Sequence, residues 1–123
     1  MPAVGLDQIL AFFYRPQGRI GRVEFALGVV LVYTLGLAIL FFFLARFGPE
    51  SGAVAFVIVA SLPLSVGMLI IVAKRCHDIG LPGTFLLLLF VPIVGIVWLI
   101  ALCFIPGTAG PNAYGPAPQF LPD

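Results

Sequence analysis

Cys76, His77 and Asp78 stand side by side and are the residue types of a nucleophilic triad. A nucleophile and its base must converge within hydrogen-bond reach, whereas successive side chains point in different directions. Adjacency therefore argues against catalysis. A closed four-ligand metal site is also unfavourable, because the chain has one histidine and its second cysteine is the distant Cys103. We expect no enzymatic activity, no metal and no cofactor.

Charged side chains gather in two short segments, residues 18–25 and 74–78. Glu24 begins a long apolar stretch, where an unpaired carboxylate would be costly. We expect a cation beside it, with Arg75 as the first candidate and Arg22 or Arg19 as alternatives. Guanidinium groups can hold carboxylates in one network. The predicted polar cluster comprises Arg19, Arg22, Glu24, Lys74, Arg75, His77 and Asp78.

The composition defines the elements that position these residues. Of 123 residues, 62% are apolar and 9% are charged, against roughly 25% charged in soluble domains. About 20 apolar residues span the roughly 30 Å hydrocarbon layer. The sequence therefore predicts an all-α membrane protein of one domain, residues 1–123, with transmembrane helices at about 24–45, 53–72 and 85–104. Barrel strands would alternate apolar and polar residues, which these segments do not do.

The flanking segments have their own patterns. Leu6, Ile9, Leu10 and Phe13 recur at helical spacing, which predicts a short amphipathic helix at about 4–15 in the headgroup plane. The segment 105–123 is rich in proline and glycine, so we expect a tail that is either mobile or pinned by contacts.

The third apolar stretch leaves two topologies open, because Pro92 and Gly95 interrupt it. A proline kink in one continuous helix is the preferred interpretation. The alternative is a re-entrant hairpin that dips into the membrane and returns on the same side, with its bend buried against other helices.

Basic residues predict the orientation, since they favour the cytoplasmic side. Five lie before the first span or after the second, and Arg46 alone lies at the other end: the five are Arg15, Arg19, Arg22, Lys74 and Arg75. We therefore expect a multi-pass protein with a cytoplasmic amino terminus. The segment after Phe104 has no lysine or arginine, so charge does not place it.

Two functions are compatible with this layout. The first is a non-enzymatic membrane protein whose polar cluster engages anionic lipid headgroups or a protein partner, or only fixes helix register and depth. The alternative is a subunit of an oligomeric pore or transporter for a small solute, lined by Tyr33, Thr34, Ser61 and Ser65. Partners would be membrane lipids, a second copy or another membrane protein, and not nucleic acid.

Four short motifs occur in order along the chain: GRIGRVEF (18–25), RCHDIG (75–80), PIVG (92–95) and GTAGPNAYGPAP (107–118). This pattern resembles the YhaH-like family of small bacterial inner-membrane proteins, a family of unknown function. The resemblance implies the fold, an inner-membrane location and an ordered tail, with Asn112 and Tyr114 as its docking residues. The family usually has a basic residue where Ala113 stands and an acid where Ala117 stands, so we do not expect salt bridges from this tail. A tail docked on the polar cluster would have to be cytoplasmic, which would favour the re-entrant hairpin.

Overall fold

The computed structural model describes residues 3–50 and 52–118, and within these ranges the regular elements are all helical. They are α1 (Leu6–Tyr14), α2 (Arg22–Phe47), α3 (Ala53–Ala60), α4 (Leu62–Ile79), a 3₁₀ helix (Gly83–Phe90) and α5 (Val94–Phe104). The all-helical prediction is confirmed. Residues 119–123 of the predicted tail lie outside the described residues.

Two antiparallel helical segments are long and apolar enough to cross a membrane, namely α2 with 26 residues and the α3–α4 segment Ala53–Ile79 with 27. They extend beyond the expected limits of 24–45 and 53–72. The second segment breaks at Ser61 because Pro63 has no N–H to continue the helical ladder. The Ser61 hydroxyl donates to the Ile58 carbonyl at 2.7 Å beside this break.

In the third apolar stretch the preferred prediction is wrong, because residues 85–104 do not form one continuous helix. The 3₁₀ helix ends before Val91, and α5 begins at Val94. Between them Ile93 has φ 68°, and the Val94 N–H donates to the Pro92 carbonyl at 2.7 Å. This is the strained form of the γ-turn, which reverses the chain.

Gly95 lets the two arms of this hairpin approach each other. A Cβ at Gly95 would lie 2.6 Å from the Leu89 carbonyl oxygen, too close for any side chain. The eight-residue 3₁₀ helix rises about 16 Å and the eleven-residue α5 about the same. Each arm is thus about half the thickness of a hydrocarbon layer.

Both ends of the hairpin lie near the carboxyl end of α4. There the buried apolar core joins α2, α4 and α5; it contains Ile20, Phe25, Ile71, Val72, Cys76 and Leu102. Helix α1 packs on α4, where the Tyr14 hydroxyl donates to the Pro63 carbonyl at 2.9 Å. Its placement in the headgroup plane remains a prediction.

Candidate functional site: a buried arginine–aspartate cluster beneath the tail

Asp78 lies between two arginines at the end of α4. Arg75 is 0% exposed and Asp78 1%, and Arg19, from the segment before α2, is 8% exposed. Arg19 donates through Nε to Asp78 Oδ1 at 3.0 Å, and Arg75, one turn before Asp78, donates to Oδ2. The Asp78 carboxylate therefore serves two guanidinium groups, and these three side chains together carry a net charge of +1.

Other donors of Arg75 bind backbone carbonyls from two other parts of the chain. They reach Leu102 at 2.8 Å, Ile20 at 3.1 Å and Ile105. Carbonyls in the last turn of a helix have no intrahelical partner, so the end of α5 offers acceptors where Arg75 needs them. Arg75 thereby joins α4, the segment before α2 and the returning arm of the hairpin.

Arg19 joins the tail to the cluster in the same way, by donating to backbone carbonyls. Its terminal nitrogens donate to the carbonyls of Thr108 and Gly110, both at 2.6 Å, and of Gly115 at 3.3 Å. The Thr108 N–H donates in turn to the Asp78 backbone carbonyl at 2.7 Å. The first half of the tail is therefore fixed over the cluster through backbone groups.

The predicted docking residues of the tail also make contacts. Asn112 Nδ2 donates to the His77 carbonyl at 2.9 Å, and the rings of His77 and Tyr114 stack with centroids 4.2 Å apart. His77 Nδ1 lies 3.1 Å from the Gly18 carbonyl. The Tyr114 N–H donates to Asn112 Oδ1 at 2.8 Å, which closes a turn in the tail. The structure thus brings His77, Asn112 and Tyr114 together.

Glu24 and Lys74 form a second polar group beside the first. Glu24 is 4% exposed, and its charge attracts that of Lys74. Lys74 Nζ donates to the Phe12 carbonyl at 2.9 Å and thereby ties α1 to α4. Arg22 is half-buried and lies 3.5 Å from the Phe104 carbonyl. The pairing of Glu24 with Arg75 stays a prediction.

The cysteine, histidine and aspartate that are adjacent in sequence do not converge. Cys76 lies in the apolar core, His77 stacks on Tyr114, and Asp78 faces the two arginines. Within residues 3–50 and 52–118, no three acidic, histidine or cysteine side chains are grouped to hold a metal. The described contacts of these side chains are hydrogen bonds, charge pairing and ring stacking.

Two of the hydroxyl groups predicted to line a pore, those of Ser61 and Ser65, donate hydrogen bonds within the α3–α4 segment. Ser61 donates to the Ile58 carbonyl at 2.7 Å and Ser65 to the Ser61 carbonyl at 3.0 Å. Together with Tyr33, both serines line an apolar groove between α2 and the α3–α4 segment. These bonds reduce the capacity of the two serines to bind a polar solute.

Sequence reasoning missed the principal acceptors of the cluster, because they are backbone carbonyls. They belong to Ile20, Leu102, Ile105, Thr108, Gly110 and Gly115. The only available signals were the end of an apolar helix and a following segment rich in glycine and proline, where carbonyls lack regular partners.

Two apolar segments of spanning length, a short apolar hairpin and a polar cluster at one end define a small helical membrane protein. More specifically, the chain belongs to the family described as "Protein of unknown function (DUF805)", whose model matches residues 13–116. That range contains the cluster and nearly all of the described tail. Membership confirms the family resemblance suggested by the four motifs.

Curated relatives agree with this assignment. The protein called "Inner membrane protein YhaI" in Escherichia coli K12, and that in Escherichia coli O157:H7, are each 42% identical to this chain over 55 residues. The match covers 43% of this chain and 45% of each relative, so the chain matches less than half the length of these relatives. The similarity supports placing this chain among bacterial inner-membrane proteins. No solved structure matches the chain.

Proposed function

We propose that this protein is a non-enzymatic inner-membrane protein whose polar cluster holds the tail as an ordered cytoplasmic surface for a protein partner. The observation that carries the proposal is the set of Arg19 bonds to Asp78 and to the tail carbonyls of Thr108, Gly110 and Gly115. A guanidinium committed to four acceptors of its own chain has little capacity left for a lipid phosphate. The cluster therefore acts through the tail that it positions.

The proposed topology has two full crossings and a re-entrant hairpin. Five of the six basic residues lie at the end of the molecule that carries the cluster, which favours a cytoplasmic location for that end. The contacts of Arg75 with Leu102 and Ile105 support a return of the hairpin to the same end. The amino terminus and the tail would then share the cytoplasmic face.

The outer edge of the tail is the part available to a partner. Thr108, Ala109, Gly110, Pro111 and Ala113 are exposed, and no charged residue occurs between Phe104 and Pro118. A rigid, uncharged edge favours recognition by shape and by backbone hydrogen bonds. Its order before binding also reduces the entropy lost on association.

Lipid headgroups would be engaged by Arg15 and Arg22, the two basic residues near the start of α2 that are not fully buried. Arg15 is exposed and Arg22 is half-buried. Each basic residue near an anionic surface contributes about 1 kcal/mol to membrane association. Neutralising both in the full-length protein should lower the amount of phosphatidylglycerol, but not of phosphatidylcholine, that co-purifies with it from mixed vesicles of the two lipids.

Cysteine labelling from each side of the membrane tests the topology. Ala113→Cys and Glu50→Cys would be made in a Cys103→Ala background, with buried Cys76 retained. A membrane-impermeant maleimide should label Glu50→Cys in spheroplasts and Ala113→Cys in inside-out vesicles. Labelling of both positions from the same side would contradict the proposal.

Partner engagement is tested separately with a photo-crosslinking residue at position 113 in the full-length protein in native membranes. We expect a discrete protein adduct that weakens in Asn112→Ala, because Asn112 holds the residues beside position 113 on His77, while Arg19 keeps its bonds to the tail carbonyls. Adducts only to lipid, or an adduct pattern unchanged by Asn112→Ala, would refute the partner surface.

A further inference from the structure

A groove of about 430 Å³ runs between α2 and the α3–α4 segment, beside the tip of the hairpin. Tyr33 and Leu40 line it from α2, Ser61 and Leu69 line it from the α3–α4 segment, and Phe90 lines it from the end of the 3₁₀ helix. The groove begins where the hairpin ends, because arms about half a layer long leave the remaining depth to two helices. Neither the polar cluster nor the tail surface accounts for it.

The tip of the hairpin and Tyr33 lie at one level along the molecule. Each arm rises about 16 Å from the end that carries the cluster. Tyr33 comes eleven residues after Arg22, the first residue of α2, which is also a rise of about 16 Å. In the membrane placement proposed above, this level is the middle of the hydrocarbon layer.

Backbone polar groups at the tip have no partner in their own chain. Among residues 3–50 and 52–118, no hydrogen bond is made by the Ile93 N–H or by the carbonyls of Leu89 and Phe90. Pro92 explains part of this, because it has no N–H to donate to the Leu89 carbonyl in the next 3₁₀ bond. Phe90 is 67% exposed and Ile93 75%, so the tip is open to its surroundings.

The Tyr33 hydroxyl is a further polar group at this level. Tyr33 is 54% exposed, and its hydroxyl makes no hydrogen bond within the part of the chain that the structure describes. The hydroxyls of Ser61 and Ser65 differ, because they donate within their own segment. The tip and the groove therefore present donors, on Ile93 and Tyr33, together with the carbonyl acceptors.

These groups decide what covers the groove. Irregular backbone at membrane depth is stable only where protein buries it or water reaches it, since lipid chains neither donate nor accept hydrogen bonds. Leucine, valine and methionine make up most of the lining, and such a surface does not hold water. A protein surface with donors and acceptors at the middle of the membrane meets the requirement.

A second copy of this chain has such a surface. A two-fold axis along the membrane normal brings equal depths of two copies together, so that tip and groove of one face those of the other. Because the set contains both donors and acceptors, it is complementary to itself. One symmetric contact then covers the open backbone of both tips.

We propose that two copies of this chain pair through the groove and the hairpin tip. Tyr33 and the Ile93 N–H of each copy donate across the interface to tip carbonyls of the other. The proposal rests on the re-entrant hairpin proposed above, but it does not depend on the tail surface or on its protein partner.

Photo-crosslinking in native membranes provides a matched test. Phe90 and Phe42 are exposed phenylalanines, at 67% and 61%, but only Phe90 lines the groove. Benzoylphenylalanine would replace one or the other in full-length chains, co-expressed with two different affinity tags. We expect an adduct that carries both tags from position 90 and none from position 42. Equal adducts from both positions, or adducts from position 90 only to lipid or to another protein, would overturn the proposal.

The phenol is tested by its own pair of variants. Tyr33→Phe removes the hydroxyl and keeps the ring, and Thr34→Val removes an exposed hydroxyl that does not line the groove. Energy transfer between labelled full-length chains, measured while the vesicles are diluted with lipid, gives the dimer affinity. Tyr33→Phe should weaken pairing by about fivefold, and Thr34→Val should match wild type. Wild-type affinity for Tyr33→Phe, or equal loss in both variants, would contradict the assignment.

Failure of this proposal is distinguishable from failure of the proposed topology. Labelling of Ala113→Cys and Glu50→Cys from the same side would remove the re-entrant hairpin and the dimer with it. Labelling from opposite sides, without a doubly tagged adduct from position 90, would overturn the dimer alone. The adduct from position 113 reports on the tail partner in either case.

Discussion

Replacing Asp78 with asparagine removes a carboxylate that Arg19 and Arg75 share. The side chain keeps its size, but the new amide presents an NH₂ group to a guanidinium where an acceptor oxygen was bound. Asp78 is 1% exposed and Arg75 0%, so solvent does not compensate. The buried net charge of these three residues rises from +1 to +2.

The expected destabilisation follows from this geometry. Removing one partner from a buried ion pair costs about 3–5 kcal/mol, because the remaining charge stays buried without compensation. The carbonyls around both arginines still accept hydrogen bonds, which places Asp78→Asn toward the lower end of that range. Exposed Glu50 provides the control, since Glu50→Gln should change the free energy of unfolding by less than about 0.5 kcal/mol.

Unfolding in mixed micelles of dodecyl maltoside and sodium dodecyl sulfate, followed by circular dichroism, measures both variants. Lipid should be absent from these samples so that binding does not shift the equilibrium. An Asp78→Asn protein as stable as Glu50→Gln would refute the reasoning, because a buried carboxylate between two arginines would then contribute nothing to the fold.

Three further substitutions have defined outcomes. Gly95→Ala should destabilise the protein by about 1–3 kcal/mol in the same unfolding assay, because its Cβ would meet the Leu89 carbonyl; Gly36→Ala, with open space around it, should be neutral or stabilising by up to about 1 kcal/mol. Asn112→Ala should leave the unfolding midpoint nearly unchanged but speed amide hydrogen exchange at residues 108–115, and unchanged exchange would contradict tail docking. Glu24→Gln should lower the free energy of unfolding by about 1–3 kcal/mol, since Glu24 is 4% exposed; a wild-type midpoint would contradict its pairing.

The helical membrane class could be predicted from the sequence, because long uncharged segments leave few other solutions. The gathering of Arg19, Arg75 and Asp78 was also predictable in outline, since antiparallel segments bring the start of α2 beside the end of α4. The three backbone carbonyls that accept hydrogen bonds from Arg75, those of Ile20, Leu102 and Ile105, were not predictable. The pairing of Glu24 with Arg75 stays a prediction.

The hairpin shows why the structure of the third apolar stretch was harder to predict from the sequence. Leucine, isoleucine and valine on both sides of Pro92 suit a continuous span as well as two half-length arms. The choice depends on whether Gly95 can pack against the Leu89 carbonyl and whether Arg75 can capture the end of α5. The first is a close approach to the backbone across the turn, and the second is a hydrogen bond from a side chain to a carbonyl 27 positions further along the chain. Residue type and spacing encode neither.

The central claim is that the tail rests on the polar cluster at the same membrane face as the amino-terminal segment. Double electron–electron resonance between spin labels at Arg15→Cys and Ala113→Cys, in the Cys103→Ala background and in lipid nanodiscs, measures this directly. A narrow distance distribution well below the roughly 30 Å thickness of the hydrocarbon layer is the predicted result. A distribution centred at or beyond that thickness would place the two positions on opposite faces and contradict the claim.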